Sequence, residues 1–203
     1  MGIFRIALML LLLFQTTKFM HADSINDASV FEWKNLPNLP DHGLAGSFAS
    51  RVENLLVVGG GTYFDGLEWN SKKVWSDQIL VLDPTEENPV WRKSEVALPL
   101  GCAYGVSVSL PDGSGLWMGG AEPNGHLDQV LHLESIEGSL RMTQLDPLPF
   151  PLAYASGAMV GDVIYLYGGQ EDASGPASNK LLSLELEDLD SRWIERDSIP
   201  GER

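Results

Sequence analysis

The chain has 203 residues with 13 Lys+Arg against 28 Asp+Glu, a formal net charge of −15, and 44% apolar residues. A field this negative repels nucleic-acid phosphates and anionic lipid headgroups unless a basic patch intervenes, and no run of Lys or Arg is present. The apolar share is that of a folded chain. One cysteine excludes an internal disulfide, and 21 Gly with 12 Pro point to many turns between short elements.

In chain order the first feature is Arg5, then the apolar run Ile6 to Phe14, then Met20-His21-Ala22 before Asp23. A positive start, a short apolar stretch and a small residue at the cut define a secretory signal peptide over residues 1–22. The run is far below the roughly 20 apolar residues that span a bilayer. The expected product is periplasmic or secreted, free of the membrane after cleavage, and loss of Arg5 and Lys18 takes its net charge from −15 to −17.

From residue 23 onward one phrase is written three times. It opens on Leu39-Pro40, Leu98-Pro99 and Leu148-Pro149, and continues through the small-residue runs Gly43 to Ala49, Ala103 to Val108 and Ala153 to Met159. An apolar strand ending in a glycine pair follows: Leu55 to Gly60, Leu116 to Gly120 and Val163 to Gly169. A polar residue then opens a third strand at Asp77, Asp128 and Asn179, and a tryptophan marks the close at Trp91 and Trp193, with Trp33 at the same phase. The glycine pairs recur at intervals of 60 and 49 residues, which fit the kelch repeat of about 50 better than the 40–45 of the WD type.

Each unit therefore reads as four short strands, one blade of an all-β kelch-type propeller. The blades fall at about residues 39–92, 98–143 and 148–194, with 31–36 as the closing strand of a last blade. Three blades are about half of a six-bladed ring, and Ile199-Pro200-Gly201 resembles the opening of a fourth unit. The expectation is that missing blades or a second chain close the ring.

Loops after the glycine pairs and before the first strands emerge on one face, placing His42, Cys102, Tyr63, Asp65, Trp69, Glu122, His126 and Glu171 along one rim. The first of these loops, Thr62 to Asn70, is the longest and mixes rings with acids and an amide, as sugar-binding surfaces do. Tyr63, Trp69, Glu122 and Glu171 are the candidate substrate contacts, set against the plainer reading of a solvated rim. His126 and His132 near Asp128 lack zinc-ligand spacing, so no metal is expected. Gly59-Gly60-Gly61 precedes no helix and is not a dinucleotide loop. Cys102 reads as a small packing residue.

The phrases Gly43-Leu44-Ala45-Gly46-Ser47-Phe48-Ala49, Gly59-Gly60-Gly61 with its long loop, and Ala103-Tyr104-Gly105-Val106-Ser107 resemble the kelch-repeat mutarotase family, that of the N-acetylneuraminate epimerases, in cyclically permuted form. The resemblance implies opening and reclosing of a pyranose ring without a cofactor, with a carboxylate as proton acceptor and an arginine beside the anionic sugar. The family's glutamate would fall beyond Arg203, so no catalytic residue is carried over, and Cys102 stands where the family has arginine. A non-catalytic kelch module that binds a glycan or protein, and an inactive fragment, remain the alternatives.

Overall fold

The computed structural model describes residues 33–66, 70–186 and 192–198. The chain divides into two units, Met1–Asn35 and Leu36–Arg203. Of the first only Trp33, Lys34 and Asn35 are described. The signal-peptide reading of residues 1–22 lies outside the described residues, and residues 33–36 belong to no strand.

The second unit is all-β, with three four-stranded antiparallel sheets in sequence. The first contains β1 (Phe48–Val52), β2 (Leu55–Gly59), β5 (Ile79–Leu82) and β6 (Arg92–Lys93). The second contains β7 (Val106–Ser109), β8 (Gly115–Met118), β11 (Val130–Ile136) and β12 (Ser139–Gln144). The third contains β13 (Ser156–Val160), β14 (Val163–Tyr167), β15 (Leu181–Glu185) and β16 (Ile194–Arg196). Each sheet keeps its strands in chain order, as a propeller blade does. Two smaller hairpins project after the second strands: β3 (Thr62–Phe64) with β4 (Lys73–Trp75), and β9 (Ala121–Glu122) with β10 (Gly125–His126).

The sequence alternation explains which way each strand faces. In β1 the residues Phe48, Ser50 and Val52 are buried while Ala49 and Arg51 are exposed, the period of two that a half-buried strand requires. The middle blade is covered on both faces, so all four residues of β8 are buried. Leu116 and Met118 join the core shared with the third blade, and Trp117 between them joins the core shared with the first. First strands of neighbouring blades are also tied directly: the Ala49 and Arg51 amides donate to Ser107 Oγ at 3.0 Å and Ser109 Oγ at 2.9 Å.

The Leu-Pro phrases carry the chain from one blade's outer strand back to the next blade's centre. Leu98 and Leu148 are buried, and their amides donate to the carbonyls of Asp77 and Asp128, both at 2.8 Å.

Two sequence readings need correction. The turning glycines of the first blade are Gly60 and Gly61 (φ 65° and 93°), not Gly59 and Gly60; Gly59 lies inside β2. The reason is Trp117, whose ring would lie 2.4 Å from a Cβ at Gly59, so that glycine makes room for a ring while the next two make the turn. The outer-strand tryptophans, which the repeat suggests as covers for the gap between adjacent blades, fill that role only in part, Trp33 being 93% exposed. Trp117, fully buried with Nε1 donating to Ser50 Oγ at 2.8 Å, fills the gap between the first two blades. Trp91 is only partly buried and donates to the Pro37 carbonyl at 2.9 Å, while Trp193 packs at the margin of the second core.

Candidate functional site

The site is built where the second strands end. After each glycine pair the next residue bridges to an alanine that precedes the blade's first strand: Thr62 to Ala45, Ala121 to Ala103, Gln170 to Ala153. The residue following each alanine has positive φ: Gly46 at 67°, Tyr104 at 63° and Tyr154 at 58°. Glycine adopts this conformation freely, whereas a tyrosine there costs on the order of 1–2 kcal/mol. The three positions are linked in series, with the Tyr104 amide donating to the Gly46 carbonyl at 2.7 Å and the Tyr154 amide to the Tyr104 carbonyl at 2.8 Å.

Two strained tyrosines at successive positions bring their rings together. Tyr104 and Tyr154 stack at 5.0 Å between centroids, Trp75 meets Tyr104 edge-on at 5.9 Å, and His126 meets Tyr154 edge-on at 5.8 Å. His126 is oriented by its Nδ1, 3.0 Å from the Gln170 carbonyl.

Beside this cluster the β3–β4 hairpin walls a cleft of about 850 Å³ whose lining includes His42, Thr62, Tyr63, Phe64, Lys73 and Tyr104. Asp65 closes the hairpin by accepting the Lys72 amide at 2.7 Å. Strand alternation puts Lys73 and Trp75 on one face of β4, and the Lys73 ammonium lies 4.3 Å from the Trp75 ring centroid and 4.7 Å from that of Tyr104. The Tyr104 hydroxyl is 2.9 Å from Thr62 Oγ1. The neighbouring Lys73 ammonium, then the bond with Thr62, hold the Tyr104 phenol below its ordinary pKa, against the opposing effect of burial. Also lining the cleft, His42 stacks on Tyr63 at 4.2 Å with the rings 13° from parallel.

Of the four residues expected from sequence to contact substrate, Tyr63 lines this cleft and Trp69 lies outside the described residues. Glu122 is on β9 and accepts from Asn124 Nδ2 at 3.0 Å. Glu171 pairs with Lys180 Nζ at 3.0 Å and accepts from Ser178 Oγ at 3.1 Å. Both carboxylates are held in the rims of their own blades, and neither lines the Tyr63 cleft. Cys102 is not on the rim but fully buried between blades, where burial pushes its thiol pKa up despite a bond from Gln129 Nε2 at 3.3 Å. Thr62, Lys73, Trp75, Tyr104 and Tyr154 were not singled out from sequence. The aligned positions Gly46, Tyr104 and Tyr154 were the available signal, since a residue that replaces glycine at one phase of a repeat inherits its backbone conformation.

A second constellation has the residue types of a nucleophilic triad. His132 Nε2 is 2.9 Å from Ser114 Oγ, and its Nδ1 is 3.9 Å from Glu134. The Ser114 hydroxyl, however, donates to Asp112 Oδ1 at 2.7 Å, as does the Ser114 amide at 2.9 Å, and the residue is buried. Burial opposes ionisation of Asp112, but these two bonds keep its carboxyl below the usual pKa. The arrangement locks the β7–β8 turn and leaves no proton for His132 to take from the serine.

The blades and the glycine turns define a partial β-propeller with kelch-like blades. No family model matches the chain. It is similar to a kelch domain-containing protein of Pyrococcus furiosus, 32% identical over 110 residues, which are 54% of this chain and 31% of that protein. It is also 28% identical over 126 residues to N-acetylneuraminate epimerase 1 of Escherichia coli, covering 56% of this chain and 32% of the epimerase. The matches thus span about a third of each curated relative. The solved structure of YjhT superposes with a TM-score of 0.64 at 16% identity over 84% of this chain and 57% of that one, which establishes the shared fold. The resemblance is to kelch-repeat proteins.

Proposed function

We propose that this chain supplies blades to an exported kelch propeller that exchanges the anomers of N-acetylneuraminate or a related anionic sugar, with the Tyr63–Lys73–Tyr104 cleft as its sugar-contact surface. The observation that carries this is the Lys73 ammonium, seated over two aromatic rings at the cleft wall. Ring faces take the apolar face of a pyranose, and a three-donor ammonium takes a carboxylate that the chain's overall negative charge would otherwise repel. The similarity to an N-acetylneuraminate epimerase supports the same substrate class. Anomer exchange needs only a proton moved between the anomeric hydroxyl and the ring oxygen, which side chains alone can accomplish. The segment Arg5 to Ala22 supports delivery to the periplasm or the exterior.

A second reading, a glycan-binding module without catalysis, is favoured by the rim carboxylates, since Glu122 and Glu171 are each committed to local partners. Exchange spectroscopy by NMR on the two anomers separates the readings. Faster interconversion with protein supports the enzyme, binding without acceleration supports the module, and absence of binding overturns both. Lys73→Met is expected to weaken binding of the acid by about tenfold or more, the worth of one charge-assisted hydrogen bond. It should leave a neutral amide analogue nearly unaffected; equal losses for both would remove Lys73 from the carboxylate's contacts.

A further inference from the structure

Four backbone hydrogen bonds recur at both junctions between blades. At the first junction the Leu98 amide donates to the Asp77 carbonyl, the Cys102 amide to Ser76, the Gly61 amide to Cys102 and the Tyr104 amide to Gly46, at 2.7–3.2 Å. At the second, Leu148 donates to Asp128, Leu152 to Leu127, Gly120 to Leu152 and Tyr154 to Tyr104, at 2.8–2.9 Å. The third blade holds one half of the same set. By position in the repeat its members are the carbonyls of Asn179, Ser178 and Tyr154 and the amide of Gly169, and none has a partner among the described residues. The first blade holds the other half, again without partners among the described residues: the amides of Leu39, Leu44 and Gly46 and the carbonyl of Leu44. Donor matches acceptor at all four places. The first Leu-Pro phrase is one residue longer up to Ala45 than its counterparts, and a tight turn at Asp41 (φ 65°), with the His42 amide 2.9 Å from the Pro40 carbonyl, takes up the extra residue.

Side-chain volumes match in the same way. Gly59 of the first blade receives Trp117 of the second, and Met118, at the position of Gly59, shares a core with Leu166 of the third. The third blade's residue at that position is Tyr167, 40% exposed, and the first blade's residue at the position of Trp117 and Leu166 is Val58. So the smallest residue meets the largest at the first junction and two of middle size meet at the second, while Tyr167 and Val58 offer a large residue and a small one. Val57 and Ile79 pack toward the second blade, so strand alternation turns Val58 and its neighbour Leu80 the other way. A cleft of about 460 Å³ whose lining includes Pro40, Leu44, Trp75 and Leu80 opens there. We propose that a second copy of this chain closes the ring, the third blade of each copy docking on the first blade of the other. Such a head-to-tail contact ends in a closed ring when its rotation allows. Three blades in each of two copies make six, within the range at which propellers close, so assembly stops at the dimer. The Gly46 bond then sets the exposed Tyr154 ring of one copy beside the partner's Ala45, part of the Tyr63–Lys73–Tyr104 cleft. None of this depends on which ligand the cleft takes.

The test is sedimentation equilibrium of the full chain, at about 0.1 M and about 1 M salt because two acidic bodies repel less when screened. The expected mass is twice that of the chain, with no larger species and tighter association at the higher salt. Val58→Tyr should set two tyrosines where one fits and weaken association about tenfold or more, the scale of an overpacked contact. Adding Tyr167→Val to it should restore the dimer. The two positions lie in the first and third blades with the second between them, so they cannot couple within one chain, and rescue requires contact between copies. Tyr167→Lys, a change on an exposed strand face, should keep the wild-type circular dichroism and sediment as a monomer; it decides the matter if Val58→Tyr does not fold. A wild type that is monomeric at both salts or grows beyond two copies overturns the proposal. So does a double variant no better associated than Val58→Tyr alone, or a Tyr167→Lys variant as dimeric as the wild type.

Discussion

Cys102 is held at 0% exposure between two blades, with Gln129 Nε2 bonded both to its sulfur and, at 3.2 Å, to the Gly119 carbonyl. A thiol whose pKa is raised by burial offers little thiolate, and one without access to solvent reacts only when the structure opens. Native protein is therefore expected to resist a disulfide reagent until denaturant unfolds it, then to react with one equivalent; rapid native labelling would contradict the placement. Replacement by arginine, the residue the mutarotase family has in this phrase, would bury an unpaired guanidinium and should cost several kcal/mol. The packing role of Cys102 was legible in sequence because no neighbouring residue could activate it. Tyr104 was half legible. The repeat aligned it with Gly46 and Tyr154, yet its partner Lys73 lies 31 positions earlier, in a loop with no counterpart of that length in the other blades. Only the fold of the β3–β4 hairpin brings that ammonium over the ring, so the pair could not be read from spacing. Trp69 is a ring in the longest rim loop, and loop composition does not place a side chain.

Among the elements, the contact of β2 with β8 shows how one glycine and one tryptophan fix the spacing of two blades. The Trp117 ring occupies the volume a side chain at Gly59 would need, and its indole N–H satisfies the buried Ser50 hydroxyl. Gly59→Ala is expected to destabilise by about 1–3 kcal/mol through overpacking. Trp117→Leu is expected to do so by about 2–4 kcal/mol, since it opens a void and strips Ser50 of its donor. The two changes should be less than additive in denaturant unfolding, because the smaller ring leaves room for the added methyl; a coupling near zero would mean that the glycine is there for its backbone alone. The same contact explains the one-residue phase error in the first blade: three consecutive glycines look alike in sequence, and only the neighbouring blade distinguishes the one inside the strand from the two that turn. The four-strand blades themselves were plain in the sequence, since their alternation and turn residues are local. The short hairpins β3–β4 and β9–β10 were not, because two or three paired residues carry no period to detect.

For the molecule as a whole, the third blade differs from the other two in what covers it. Phe48, Ser50 and Val52 of the first blade are buried by the second, and Val106, Val108 and Leu110 at the same positions of the second are buried by the third. The matching residues Ser156, Ala158 and Val160 are exposed, Val160 at 66%, with Tyr167 beside them at 40%. This face has the geometry that twice receives a neighbouring blade within the chain, so a further blade is its expected occupant in solution. If that blade belongs to a second copy, two bodies of net charge −15, or −17 once residues 1–22 are removed, must approach, and their repulsion weakens as salt shortens the Debye length from about 10 Å at 0.1 M toward about 3 Å at 1 M. Association read by light scattering should then strengthen with salt. If the occupant is covalently part of the same protein, the mass stays constant, and a buried charge shows in stability instead. In either arrangement Val160→Lys places an ammonium in an apolar contact and should cost roughly 1–3 kcal/mol, read as a lower melting temperature or as dissociation. The same substitution on a freely hydrated strand is worth only a few tenths of a kcal/mol, so a variant that melts and weighs like the wild type would show the third blade's face to be open surface.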